Sequence, residues 1–150
     1  MNEQRAAAAP GQDPGVAREM SVNECWELLR DAVIGRLAVV HDGAPDIFPV
    51  NFAVDHGTVV LRTAGGTKHD AARSHPVAFE VDGYDVGTGE AWSVVARGRA
   101  VEVRDVDDSI AILNLPLVPW AKGPKPHLLR VVPVSLTGRR FAVDGGVRRP

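Results

Sequence analysis

Apolar residues near the start of the sequence recur with the three- and four-residue spacing of one face of an α-helix. The segment Ser21-Val22-Asn23-Glu24 has the form of a capping box, in which Ser21 and Glu24 satisfy the free backbone donors of a helix start. A helix is therefore predicted over residues 22–31, with one stripe facing the core. The stripe consists of Val22, Cys25, Trp26, Leu29 and Val33.

After Gly35 the pattern changes to short runs rich in Val, Ile, Phe and Thr, which are typical of β-strands. The turn pairs Asp42-Gly43 and His56-Gly57 separate the first three runs and predict an antiparallel meander. A long later run is interrupted at Gly98, where a bulge or a barrel corner is expected. The predicted strands cover residues 36–41, 47–55, 58–63, 77–81, 91–103, 128–136 and 140–143.

The segments between these strands carry helix and loop signals. Gly65 and Gly66 give the backbone freedom ahead of a second predicted helix, residues 67–74. Thr67 is expected to be the N-cap of that helix. The other predicted elements are a glycine-rich loop over residues 82–90, a short helix over residues 105–113 and a proline-rich loop over residues 115–126.

Many short strands with few helices favour a small closed barrel, because closure removes the exposed edges of a sheet. The predicted fold class is mainly β with short helices, and the length of 150 residues suits one domain with one core. That domain is expected to cover residues 21–144. Residues 1–20 and 145–150 contain few large apolar residues, so a flexible N-terminal tail and a loose C-terminal end are predicted.

Composition argues against some classes of partner and location. The net charge of -2 and the isoelectric point near 6.2 lack the basic excess that binding to a nucleic acid backbone requires. No apolar run approaches the length of a membrane span and no signal peptide is evident, so no membrane association is expected. Cys25 is the only cysteine, which favours a reducing, cytoplasmic setting. We expect Cys25 to be a buried apolar residue rather than a reactive thiol.

Residues 61–68 combine a strand end, a diglycine and a helix start, an arrangement that suits phosphate binding. Backbone N–H groups at a helix N-terminus have no partners within the helix and carry the positive end of its dipole. Arg62 and Lys68 add positive charge and donors that match phosphate oxygens. The order of residues differs from G-x-x-x-x-G-K-[ST], so a nucleotide-hydrolysing P-loop is not predicted.

The five histidines show no H-x-x-x-H or H-E-x-x-H spacing, and no metal site is predicted. Two other residues allow alternative interpretations. Asn51, a polar residue in an apolar strand, is either a hydrogen-bonded buried amide or a ligand contact. Trp92 suits the core, a subunit interface or a cofactor contact.

Five segments stand out when they are taken together in their order along the chain. They are Gly35-Arg36-Leu37-Ala38-Val39; Pro49-Val50-Asn51-Phe52; Arg62-Thr63 with Gly66-Thr67-Lys68; Phe79-Glu80-Val81-Asp82; and Trp92-Ser93-Val94 with Arg97-Gly98-Arg99-Ala100. This set resembles the flavin-binding split-barrel proteins of the pyridoxamine 5'-phosphate oxidase-like superfamily. The resemblance covers residues 21–143 and implies a six-stranded antiparallel split β-barrel.

The resemblance also implies a homodimer that holds FMN in two grooves at the subunit interface. Matched position by position, it assigns cofactor-binding residues to three groups. Pro49, Val50, Asn51 and Phe52 would lie along the flavin ring; Arg62, Thr63, Thr67 and Lys68 would bind the ribityl phosphate; and Trp92 and Ser93 would reach the flavin from the second subunit.

The sequence departs from pyridoxamine phosphate oxidases at two places. Residues 141–150 lack the Arg-x-His-like element and the Trp with which those enzymes hold pyridoxal phosphate, and Ser93 stands where they carry Gln. Vitamin B6 oxidase activity is therefore not expected. The predicted function is an FMN-dependent oxidoreductase acting on a small-molecule substrate, in which the cofactor performs the electron transfer. The alternatives are a non-catalytic module that binds or stores flavin or haem, and an F420-dependent reductase whose cofactor tail would contact Lys122 and Lys125.

Overall fold

The computed structural model describes residues 17–104 and 127–143. Three predicted features lie outside these residues, namely the helix over residues 105–113, the loop over residues 115–126 and the C-terminal end. Most of the predicted N-terminal tail lies outside them as well. Within the described part of the chain, no helix is both long enough and apolar enough to cross a membrane.

The described end of the N-terminal tail belongs to the sheet. Arg18–Glu19 form a short strand, β1, which pairs with Arg140 and Arg139 of the last strand. Met20 is buried and donates its backbone N–H to the carbonyl of Gly138 at 2.9 Å. The folded domain therefore begins ahead of the expected boundary.

Helix α1 spans Val22–Asp31, as predicted, and its start has the expected cap. The Ser21 hydroxyl accepts the backbone N–H of Glu24 at 3.2 Å. The carboxylate of Glu24 also pairs with Arg18 at 3.2 Å, which ties the helix start to strand β1. The Ser21 half of the predicted capping box is thus confirmed, whereas the Glu24 carboxylate accepts from the Ser21 hydroxyl and from Arg18.

The predicted stripe of α1 is confirmed at its centre and wrong at its two ends. Cys25 and Leu29 are fully buried, and Trp26 packs against the same core from a partly buried position. Val22 and Val33 are 55% and 56% exposed. Val33 follows the helix C-cap, where the backbone is already extended, so the helical spacing no longer applies to it.

Seven further strands and a second helix complete the described fold. All strand pairs are antiparallel, and six of the strands contain six or more residues, in agreement with the predicted fold class. The elements are β2 (Ile34–His41), β3 (Ala44–Asn51), β4 (Ala53–Asp55), β5 (Thr58–Thr63), α2 (Thr67–Ser74), β6 (Val77–Asp85), β7 (Glu90–Glu102) and β8 (His127–Ala142).

The sheet must be curled, because one residue connects its two edge strands. Its strand order is β3-β2-β6-β7-β8-β5-β4. Strand β3 ends at Asn51 and β4 begins at Ala53, so only Phe52 separates the first edge strand from the last. A flat sheet of this width could not have its edges so close, since neighbouring strands lie about 4.8 Å apart. The result is the split barrel, a half-closed antiparallel sheet.

Three strand boundaries differ from the prediction. The expected strand over residues 47–55 is two strands, because the chain leaves its pairing with β2 at Phe52 and then pairs with β5. The predicted loop over residues 82–90 is mostly sheet, with a turn of residues 86–89 between β6 and β7. Strand β8 is continuous where two strands were predicted.

The bulge expected at Gly98 is present, since the register between β7 and β8 shifts between Arg97 and Gly98. A Cβ atom at Gly98 would overlap the carbonyl oxygen of Val132. The close approach of the two backbones therefore requires glycine here.

The core lies inside the curled sheet and is closed by the helices. Ala71 and Ala72 of α2 are buried, and α2 packs against β2 and β7. Full burial of a large aliphatic side chain contributes about 1.5–3 kcal/mol, so the interior-facing strand residues supply most of the stability. The largest of them are Leu37, Val59, Leu61, Phe79, Val81, Val94, Leu129 and Val131.

Candidate functional site

Helix α2 begins with free backbone donors. Gly65 and Gly66 both have positive φ angles, 86° and 84°, and Gly66 is the N-cap without a side-chain cap hydrogen bond. The prediction that Thr67 is the cap is wrong, because Thr67 is already the first helical residue. The first hydrogen bond of the helix runs from the Asp70 N–H to the Gly66 carbonyl at 3.0 Å. The N–H groups before Asp70 lack partners within the helix and suit an anion.

The loop before α2 is held by a buried hydroxyl. Thr63, the last residue of β5, is fully buried, and its hydroxyl accepts the N–H of Gly65 at 3.3 Å. The same hydroxyl lies 3.1 Å from Nδ1 of His69, in the first turn of α2. Thr63 therefore acts on the loop from the core side.

Arg62 lies on the opposite side of β5 from Thr63, because adjacent strand residues face opposite ways. Its Nε atom is buried and has no hydrogen-bond partner among the described residues. A buried guanidinium donor normally has a partner. Arg140 Nε shares this property, but the Arg140 guanidinium pairs with Glu90 at 3.0 Å. Arg62 thus carries a buried donor without a partner among the described residues, and it precedes Gly65 by three residues in the sequence.

The four residues expected along the flavin ring divide between two faces. Val50 and Phe52 are buried in the core, where the rings of Phe52 and Phe79 meet edge to face with centroids 4.8 Å apart. Pro49 is exposed, and Asn51 donates its amide N–H to the Val33 carbonyl at 3.4 Å. The side-chain amide of Asn51 is therefore hydrogen-bonded within the protein, and Asn51 shares the outward face of β3 with Pro49.

Trp92 and Ser93 also face opposite ways. The Trp92 ring packs over Gly83 of β6, where a Cβ atom would lie 2.5 Å from Cζ2 of the ring. Ser93 shares the outer face with Asp82 and Arg139, its register partners on the neighbouring strands. A groove on one face of β7 can therefore be lined by the side chain of Trp92 or of Ser93, but not by both.

Two shallow pockets, each bordered by one of the predicted site residues, share part of their lining. Each has a volume of about 270 Å³, and both are lined by Asp31, Ala32 and Val33, the connection between α1 and β2. Phe52 borders one pocket and Trp92 borders the other. The α1–β2 connection thus separates two residues that the sequence placed at the flavin.

A charged group on the outer face adjoins these positions and was missed by the sequence analysis. Arg36 of β2 lies 3.2 Å from the Glu80 carboxylate and 3.5 Å from that of Asp82. Burial, and then the neighbouring Asp82, raise the pKa of Glu80, while Arg36 acts in the opposite direction. Arg36 is the register partner of Pro49. The alternation of Glu80 and Asp82 on one strand is the signal that indicates a shared face.

A second group missed from the sequence lies at the other side of the glycine loop. His69 of α2, Glu102 of β7 and His127 of β8 place one ligand atom each within 4.8 Å of one another. Glu102 accepts from Nδ1 of His127 at 2.9 Å. Their separation along the chain, 33 and 25 residues, hides this group from any search for local histidine spacing.

Thr67 and Lys68 occupy the first two positions of α2, so the structure places their backbone at the free N-terminal turn. The segment predicted to bind phosphate therefore has three parts within one short stretch: Arg62, the diglycine and the helix start. Strand β3, which was predicted to lie along the flavin ring, and the Trp92–Ser93 segment lie on other strands of the same curled sheet.

Solved structures with known fold support this architecture. The FAD-binding protein from Mycobacterium smegmatis is 42% identical with a TM-score of 0.74, and the match covers 85% of this chain and 99% of that one. The FAD- and haem-binding protein from the same organism shares the fold at 16% identity and a TM-score of 0.65, covering 88% of this chain and 76% of that one.

A curated sequence relative and a family model also match this chain. The uncharacterized protein Rv0080 of Mycobacterium tuberculosis is 33% identical over 132 residues, which is 84% of this chain and 86% of the relative. Residues 21–140 match the family model described as pyridoxamine 5'-phosphate oxidase. This chain therefore belongs to the pyridoxamine 5'-phosphate oxidase family, whose flavin-binding split barrel it shares.

Proposed function

We propose that this protein binds a flavin nucleotide through its phosphate at Arg62 and the first turn of α2, and that it is a flavin-dependent oxidoreductase. The observation that carries the proposal is the buried Arg62 Nε, which lacks a partner in residues 17–104 and 127–143. Arg62 precedes by five residues the glycine-capped start of α2, whose first N–H groups lack partners within the helix. Both sets of donors suit the same kind of ligand, an anion.

The residues present fit a flavin phosphate in charge and in backbone shape. Gly66 has nothing within 4 Å of its Cβ position, so the loop leaves open space where a ligand oxygen can approach. Thr63 and His69 hold the loop in place from the core side. Lys68 follows directly in sequence and is a further candidate for the same phosphate.

A bound flavin supplies hydride and electron transfer. The chain supplies position: the outward face of β3 offers Pro49 and Asn51 along one side of the ring. Glu80 lies on the same face, since Arg36 is the register partner of both Pro49 and Glu80, and burial raises the pKa of its carboxyl. The substrate proposed is a small molecule, since the pockets beside Phe52 and Trp92 are small and shallow.

The type of flavin follows from the phosphate site only in part. FMN, FAD and F420 all carry a phosphate that the donors at Arg62 and α2 suit. The similar M. smegmatis protein is described as binding FAD, whereas the sequence resemblance implies FMN. We propose FMN as the resident cofactor and treat FAD and F420 as competitors to be measured.

We also propose that two copies of the chain form the site together. Val101, Val132 and Val134 are 47%, 41% and 85% exposed on β7 and β8. Exposed apolar side chains on adjacent strands are typical of a surface that another protein covers. A second copy related by two-fold symmetry would cover them and bring its Trp92–Ser93 segment to the groove. The reducing location indicated by the lone cysteine makes the cytoplasm the proposed compartment.

The test begins with the absorption spectrum of the purified full-length protein. FMN, FAD, F420 and haem are then titrated separately into flavin-free protein, with tryptophan and flavin fluorescence as readouts. A preference for a flavin, followed by its reduction with NADH or NADPH under anaerobic conditions and its reoxidation by an acceptor, supports the oxidoreductase. Tight flavin binding with no reduction by either nucleotide favours the storage module. Absence of binding to all four ligands at micromolar concentration contradicts the proposal.

A further inference from the structure

Three side chains from distant parts of the sequence converge at one end of the curled sheet. Nδ1 of His127 lies 2.9 Å from Oε1 of Glu102, and Nε2 of His69 lies 3.8 Å from Oε2 of the same carboxylate. The two imidazole rings are in contact, with centroids 4.6 Å apart. His69 is almost fully buried and the Glu102 side chain is 14% exposed, so these two residues are largely shielded from water.

We propose that His69, Glu102 and His127 form a binding site for a divalent transition metal ion, for which Zn²⁺ is the reference. Two imidazole nitrogens and one carboxylate oxygen are a donor set that such ions prefer to Mg²⁺ or Ca²⁺. Tetrahedral Zn²⁺ with bonds of about 2.1 Å places its ligand atoms about 3.4 Å apart. One ligand atom from each of the three residues lies within 4.8 Å of the other two, so modest side-chain shifts would bring them to that spacing.

The surroundings already orient the buried ligand. Nδ1 of His69 lies 3.1 Å from the Thr63 hydroxyl, which leaves Nε2 directed toward Glu102. A hydrogen bond from the other ring nitrogen is the usual way in which a protein fixes the tautomer of a metal-binding histidine.

One oxygen of the Glu102 carboxylate is held by arginine. Arg104 donates to Oε2 at 2.8 Å, and Arg73 lies 3.5 Å from the same oxygen. Oε1 of Glu102 lies next to His127 and is the oxygen that would bind the metal ion. A ligating carboxylate whose second oxygen is hydrogen-bonded is a common arrangement.

The two arginines are compatible with a cation at Oε1 because both pair with Oε2 and both reach into solvent. Their side chains are 41% and 71% exposed, for Arg73 and Arg104 respectively. Metal binding through Nδ1 of His127 would replace the hydrogen bond between that nitrogen and Oε1 of Glu102. His127, at 38% exposure, has room for that change and leaves the remaining metal position open to water.

The test uses the full-length protein after dialysis against EDTA, without added flavin, so that its outcome is separate from that of the flavin proposal. Zn²⁺ is titrated by calorimetry, and Co²⁺ is added to a second sample for visible absorption and proton NMR. The variants are His127→Ala and Glu102→Gln. The matched control is His56→Ala, because His56 is 90% exposed and its only carboxylate neighbour among the described residues is Asp55.

We expect one Zn²⁺ per chain with a Kd in the micromolar range or tighter. His127→Ala and Glu102→Gln should each raise the Kd at least tenfold, while His56→Ala leaves it unchanged. Should a variant fail to fold, the Co²⁺ sample of the unaltered protein still decides, because two imidazole N–H protons should show paramagnetic shifts. Absence of Zn²⁺ binding at 100-fold excess, equal binding by all variants, or a Co²⁺ spectrum without histidine shifts each overturns the proposal.

Discussion

Thr63 and His69 are joined by a buried hydrogen bond, in which the threonine hydroxyl lies 3.1 Å from Nδ1 of the imidazole. Thr63 ends strand β5 and His69 lies in the first turn of α2, so the contact spans the glycine loop between them. The same hydroxyl accepts the N–H of Gly65. One buried oxygen therefore fixes both ends of the loop to which we assign the flavin phosphate.

Replacing Thr63 with Val tests that role. The Thr63→Val side chain has nearly the same shape but leaves the Gly65 N–H and the His69 ring without their partner. We expect a loss of about 1–3 kcal/mol in the free energy of unfolding, measured by urea denaturation at pH 7. Thr63→Ser retains the hydroxyl and should lose less. Equal stability of Thr63→Val and the unaltered protein would show that the hydroxyl is not needed.

Arg62 provides the test of the phosphate site. In Arg62→Ala the buried Nε donor is removed, so the charge-assisted contact to the flavin phosphate is lost. We expect flavin binding to weaken by about 1.5–3 kcal/mol, roughly 10- to 150-fold in Kd, measured by fluorescence titration.

The control for Arg62 is Arg18→Ala, which removes a guanidinium from a half-exposed pair with Glu24 on the surface. Its flavin affinity should stay within a factor of two. Comparing FMN with riboflavin, which has no phosphate, sharpens the result. Arg62→Ala should weaken FMN and leave riboflavin nearly unchanged, and a similar loss for both ligands would place the phosphate elsewhere.

Local features were predictable from the sequence because their causes lie within a few residues. Ser21 and Glu24 carry the cap of α1 by themselves, and the Asp42-Gly43 turn has the positive φ angles, 50° and 73°, that its residues tolerate. The segment around Gly98 was recognisable as a bulge because glycine interrupts a long apolar strand. None of these depends on which strand lies beside which.

Features that depend on strand partners were not predictable in the same way. Nothing in the alternation of residues 47–55 shows that the chain changes partners at Phe52, because both halves remain extended. The group of His69, Glu102 and His127 has the same origin, since its members meet only through the register of β5, β7 and β8. His127 is the register partner of Thr63, which contacts His69. This pairing can be known only once the strand order of the sheet is known.

Gly98 yields a prediction about folding rather than the site. In Gly98→Ala the new methyl group would overlap the Val132 carbonyl, so one of the two longest strands would have to shift. We expect a loss on the order of 3 kcal/mol in the free energy of unfolding, with a lower melting temperature by calorimetry. Gly87→Ala, in the turn between β6 and β7, is the control, because its nearest contact is a flexible Asp85 side chain at 3.2 Å. A melting temperature for Gly98→Ala equal to that of Gly87→Ala would contradict the required close approach.

Cys25 links burial to the dependence of stability on pH. Burial raises the pKa of its thiol above the ordinary value of 9.0, so the folded chain keeps the proton at a pH where the unfolded chain has lost it. Since the folded state then binds more protons than the unfolded state, the free energy of unfolding must fall as pH rises above about 9. The thiol should also resist alkylation at pH 8 in the native protein and react at once in urea.

The measurement for Cys25 is urea denaturation at several values from about pH 7 to about pH 10, compared with Cys25→Ala. Tyrosine and lysine side chains titrate over the same interval, so only the difference in slope between the two proteins reports the thiol. We expect the unaltered protein to lose stability more steeply above pH 9 than Cys25→Ala does. Parallel slopes, together with rapid alkylation of the native protein, would mean that the thiol ionises in the folded chain and that the core opens around α1.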